Sequence, residues 1–127
     1  MTRSVQGSQS ASTWTEVAVD EPVTMINVFS VPLDESEKFL HRWRTYNAQM
    51  MSEQPGFIRA VMHKTIAGDA ISFVNVAQWE SGHALAEART NPEWLASVKS
   101  ILDDPDLHVT ARPGVYQVVF DVQPGGK

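Results

Sequence analysis

The strongest constraint on this chain is the order in which its hydrophobic periodicity changes. Val23 to Val31 is a run of apolar and β-branched residues closed by Pro32, the pattern of a strand. Asp34 then stands three residues before Glu37, a capping-box-like start with Asp in place of Ser or Thr. Phe39, Trp43, Tyr46 and Met50 follow at helical spacing, with Leu40 and Met51 beside them, until Pro55-Gly56 stops the helix. Phe57 to Ile66 and Ile71 to Trp79 return to strand character around Ala67-Gly68-Asp69-Ala70, a hairpin turn. Ser81 is the N-cap of a helix through Ala88. Asn91-Pro92 opens a second helical piece carrying Leu95, Val98 and Leu102, and Asp103-Asp104-Pro105 breaks it. Val115 to Val122 reads as the last strand, with His108 to Ala111 leading into it.

The order β-α-β-β-α-β is that of an α+β, ferredoxin-like domain: an antiparallel sheet with both helices on one face and the first and third strands side by side in its middle. Val74 and Val76 point away from Ile71, Phe73 and Ala77, and Val115 and Val119 away from Tyr116, Val118, Phe120 and Val122. Apolar residues on both faces require cover on both. Helices supply one cover, and a second copy of the chain is the simplest source of the other.

The chain has 127 residues, enough for one domain, and is 43% hydrophobic and 20% charged, an ordinary globular balance. Residues 1–20 read as a flexible tail, within which Trp14 to Val19 is a candidate edge strand; residues 21–123 form the domain and 124–127 a second tail. A net charge of −5 without a basic stripe disfavours nucleic acid as a partner. The absence of cysteine excludes disulfides, thiolate metal sites and thiol nucleophiles, and fits a cytoplasmic location. No apolar run is long enough to cross a bilayer, and the Ser- and Gln-rich start has no apolar core of a secretory signal.

Two amides interrupt the apolar rows. Side chains alternate across a strand, so Asn27 shares a face with Val23, Met25, Phe29 and Val31, and Asn75 with Ile71, Phe73, Ala77 and Trp79. On adjacent strands both point into one space between sheet and helices, where an unpartnered amide costs roughly 1–3 kcal/mol. They are either structural amides satisfied by neighbours or the polar lining of a ligand cavity, with Phe29 and Phe73 beside them. The row Phe39, Trp43, Tyr46 and Met50 is core in its simplest reading; Trp43, Tyr46 and Met50 are also candidates for an aromatic cavity wall. The four histidines have no metal-ligand spacing. His63 is a satisfied strand histidine or, facing a pocket, a proton acceptor. No phosphate loop, dinucleotide fingerprint or nucleophile elbow is present.

The segment Asn75-Val76-Ala77-Gln78-Trp79-Glu80-Ser81, after Gln54-Pro55-Gly56-Phe57, resembles the antibiotic biosynthesis monooxygenase family, and the similarity runs over roughly Val23 to Val122. Within it, the chain is most similar to the small anthrone and naphthacenone oxygenases of aromatic polyketide pathways. The resemblance implies dimeric α+β barrels that bind a polycyclic aromatic substrate and O2 and need no cofactor, neither metal, flavin nor haem. It implies catalytic roles for Asn27, Asn75, Trp79 and His63. The position of a pocket Tyr in one such enzyme is Leu85 here, and Arg89 is the candidate for a pocket Arg. A haem-degrading branch uses a His in the region corresponding to Ala88 to Ser100, which contains none. The rival readings are a polyketide cyclase, a non-catalytic dimer that binds aromatics, and a general quinol monooxygenase.

Overall fold

A computed structural model of the protein describes residues 19–68 and 70–125. The expected tail over 1–18, most of the candidate strand Trp14 to Val19, Asp69 of the turn and the last two residues lie outside the described residues. The elements are β1 (Val23–Ser30), α1 (Ser36–Arg42, with a π turn at Trp43–Asn47 and a last stretch at Ala48–Ser52), β2 (Phe57–Lys64), β3 (Ser72–Trp79), α2 (Gly82–Arg89), α3 (Pro92–Leu102) and β4 (Thr110–Tyr116). The antiparallel sheet has the order β2-β3-β1-β4, with β1 and β3 central. This is the ferredoxin-like α+β arrangement. No helix among the described residues is long and apolar enough to cross a membrane.

The alternation in β1 and β3 sets the core. Met25 faces Ala77, Asn27 faces Asn75 and Phe29 faces Phe73 across the ladder, and the Met25, Phe29, Phe73 and Ala77 side chains are buried under the helices. Phe39 of α1 packs on both Phe29 and Phe73, with ring centroids 5.1 and 5.3 Å away. Ser81 caps α2 by accepting from the Ala84 N–H, and Asn91 caps α3 by accepting from the Glu93 N–H with Pro92 in the first turn. Gly56 ends the α1–β2 turn at φ +86°, where a β-carbon would also collide with that of Ala84.

Four expectations need correction. Asp34 does not cap α1; it lies inside a 3₁₀ turn, Leu33–Glu35, and no side chain caps the helix. The buried row of α1 is Phe39, Trp43, Asn47 and Met51, leaving Tyr46 40% exposed. In an α-helix each four-residue step drifts about 40° around the axis. The wider π turn advances less per residue and swings the row back, so a strict four-residue spacing keeps facing the sheet. In α3 the buried row is Trp94, Ser97 and Ile101, while Leu95, Val98 and Leu102 are half-exposed. The last strand is Thr110–Tyr116, not Val115 to Val122. Thr24, next to the start of β1, pairs with Tyr116, so a longer β4 has little neighbour left to bond. Pro113 is tolerated inside β4 because it is an edge strand.

Candidate functional site

A cavity of about 250 Å³ lies between sheet and helices, far more than the ~10–15 Å³ a single ordered water occupies. Its floor is β1 and β3. Asn27 and Asn75 are direct cross-strand partners, which puts their β-carbons about 4.5–5.5 Å apart on the same face. Asn75 is only 1% exposed. Among the described residues neither Oδ1 atom finds a donor, and both are shielded from solvent, so the amides do not satisfy each other through these oxygens. Each orphaned acceptor costs about 1–3 kcal/mol, and both sit on the wall of the same cavity.

The roof comes from α1 (Trp43, Asn47, Met51) and α3 (Trp94, Ser97, Ile101). Asn47 Nδ2 donates to the Ser97 carbonyl at 2.9 Å, which ties the two helices together. Val98 and Leu102, half-exposed, also line the cavity, as do Ala111 and Pro113 of the edge strand. Arg89, at the end of α2, is half-buried and is the one charged residue among the described lining residues. Burial lowers its pKa, but a guanidinium stays charged at any physiological pH. The cavity is therefore an apolar and aromatic box with three carboxamides, a hydroxyl and one cation.

Of the residues singled out from sequence, the structure gathers Asn27, Phe29, Trp43, Asn75 and Arg89 around this cavity. Trp79 is fully buried but stands behind Trp94, with centroids 5.9 Å apart, and packs edge-on against Phe57. Its indole N–H has no acceptor among the described residues. Phe73 and Leu85 are core, and Tyr46 and Met50 lie off the lining. His63 is on the opposite face of the sheet: it pairs with Val74, neighbour of the inward Asn75, and its Nδ1 lies 3.3 Å from the Val74 carbonyl. A register shift between Phe57 and Arg59 turns Phe57 to the helix side, so Phe57 and His63 lie on opposite faces although six residues separate them.

Sequence reasoning missed Asn47, Trp94 and Ser97. Ser97 between Trp94 and Ile101 is the same signal as the strand amides, a polar residue inside an apolar row. Asn47 was hidden by the π turn. Among the described residues no group of three or more acidic or His side chains is placed to hold a metal.

The family model of the antibiotic biosynthesis monooxygenases matches residues 22–100. Among solved structures, a candidate monooxygenase from Shewanella loihica is 27% identical, with a TM-score of 0.64 over 80% of this chain and 97% of that one. SnoaB, a cofactor-independent oxygenase from Streptomyces nogalater, is 25% identical, with a TM-score of 0.63 over 82% and 99%. A variant of MhuD with two manganese protoporphyrin IX molecules per active site is 24% identical, with a TM-score of 0.63 over 80% and 99%, a likeness of fold. No curated protein matches. With more than half its length matched by one family model, the chain belongs to the antibiotic biosynthesis monooxygenase family.

Proposed function

We propose that the chain is a cofactor-independent monooxygenase that oxidises a polycyclic phenol or anthrone to a quinone. The observation that carries this reading is the pair Asn27 and Asn75, facing amides with unpartnered oxygens on the floor of a mainly apolar and aromatic cavity. Trp43 and Trp94 in the cavity wall offer aromatic surface to a flat fused-ring molecule whose oxygen would meet the amides.

The substrate supplies the reactivity. An anthrone methylene loses a proton and its carbanion passes one electron to O2. The resulting radical and superoxide combine to a peroxide, which takes up a proton. Loss of water then turns the CH2 into C=O, so one O2 yields one carbonyl oxygen and one water with no outside reductant. Amide N–H groups and the Arg89 cation stabilise the negative charge on the substrate oxygen and on the peroxide in a water-poor site. Among the described residues the cavity lining carries no imidazole or carboxylate, so the reading relies on lowering the substrate's own pKa rather than on a protein base. The enzyme acts as a homodimer joined through the sheet face opposite the helices.

The test is O2 uptake on a panel of anthrones and naphthols, with chelator-treated protein free of flavin absorbance. The expected result is one O2 consumed per quinone formed. Conversion without O2 uptake would replace the reading with a cyclase, and binding without conversion with a non-catalytic aromatic-binding protein.

A further inference from the structure

Building on that reading of the cavity, we infer that its roof is a second polar pole, built on the unmet acceptor Asn47 Oδ1, which selects ligands carrying a hydroxyl on the end away from Asn27 and Asn75, with Asn47 as the specificity-determining residue. Asn47 is 7% exposed and its Nδ2 donates to the Ser97 backbone carbonyl at 2.9 Å. A backbone carbonyl can only accept, so the amide cannot be turned around. The other atom must be Oδ1, which is shielded from solvent and accepts nothing from the described residues. Beside it, Ser97 is 3% exposed and spends its hydroxyl hydrogen on the Trp94 carbonyl at 2.8 Å. Its oxygen retains lone pairs only.

Both residues line the cavity from the helix layer, across from the strand amides. A carbonyl, ether or phenolate oxygen placed against Asn47 Oδ1 meets oxygen against oxygen. A phenolic O–H satisfies Asn47 Oδ1. The floor has the opposite character, since no fixed donation holds the Asn27 and Asn75 oxygens and each amide can turn N–H toward an anion. The ionised oxygen therefore belongs at the floor and a neutral hydroxyl at the roof, which fixes how a flat molecule is oriented in the cavity.

The probes are a dihydroxynaphthalene with its hydroxyls at opposite ends, its monomethyl ether, and the matching naphthol. Affinity is read without O2 from quenching of tryptophan fluorescence, Trp43 and Trp94 being in the cavity wall. Wild-type protein is expected to bind the diol about 10- to 100-fold more tightly than either analogue, the penalty of leaving one buried acceptor unmet. In Asn47→Leu that ratio is expected to fall to within about threefold, while affinity for the naphthol is held or improved. A merely structural Asn47 would weaken all three probes together and leave the ratio standing, which overturns the inference. So does a wild-type protein that binds all three equally, a result needing no folded variant. Binding of no naphthol sinks the reading of the cavity and the roof pole with it. Diol-selective binding without O2 uptake sinks the oxygenase alone and leaves the pole intact.

Discussion

Asn75 is a residue whose cost to the fold and use to the site have opposite signs. Its Oδ1 is buried and unpartnered, so replacing the side chain by an apolar one of similar size removes a desolvation penalty of about 1–3 kcal/mol. Asn75→Leu is therefore expected to raise the melting temperature while lowering the O2-consumption rate about 10²–10³-fold, the loss typical of one oxyanion donor. Calorimetry beside an oxygen electrode reads both; a drop in stability with unchanged rate marks the amide as structural. His63 makes the converse case. It lies across the sheet from the cavity, so His63→Ala is expected to leave the rate within about twofold and its pH profile unmoved. The profile should instead follow ionisation of the bound substrate. A lost limb near neutral pH in that variant would return the histidine to the mechanism.

Elements were legible in proportion to how local their causes are. Both strand amides follow from period-two alternation and adjacency of β1 and β3, and the caps at Ser81 and Asn91 follow from side-chain chemistry within three residues. The phase of α1 was not legible past Trp43, because a π turn is set by packing and not by composition. Nor was the face of β2 that carries His63, since a bulge near Phe57 breaks the count. The start of β4 was missed because Pro113-Gly114 reads as a break, whereas an edge strand accepts it. What holds that start is electrostatic. Glu35 accepts from the His108 backbone N–H at 2.6 Å and pairs with its ring Nδ1 at 2.7 Å. The backbone bond, then the ring contact, lowers the Glu35 pKa from 4.5. The contact with Glu35 raises that of His108 above 6.5. The signs differ: the histidine's contribution is complete below 6.5 and lost as pH rises through its raised value. The glutamate's is complete above 4.5 and lost as pH falls through its lowered one. The contact is thus strongest in mildly acidic solution. Between about pH 6 and pH 9 the wild-type melting temperature should fall more than that of His108→Gln. Equal slopes would mean that the pair does not couple to folding.

At the scale of the whole molecule, the proposed dimer turns on apolar surface that one chain leaves uncovered. Away from the helices, Ile26, Val76 and Val61 align across three strands, with Val28 beside Val74, and all five are only partly buried. Beyond β4, Val118, Val119, Phe120 and Val122 are 76 to 88% exposed. Four strands at about 4.8 Å spacing and seven or eight residues at about 3.3 Å make a face of roughly 19 by 25 Å, near 500 Å². A stable interface needs about 800 Å² per partner, and the apolar stretch after β4 makes up the difference only if it joins the contact. Sedimentation equilibrium at micromolar concentration is therefore expected to give twice the 14.1 kDa chain mass. Val76→Lys places a charge in the centre of that face and should yield monomers, and Phe120→Asp should weaken association without abolishing it. The cavity lies on the helix side of the sheet, opposite the face that carries Val76, so the Val76→Lys monomer should still quench on naphthol binding with an affinity within about threefold of wild type. A wild-type protein that sediments as a monomer would leave this face without its proposed cover. A monomeric variant that loses the ligand would mean that the partner holds the cavity open.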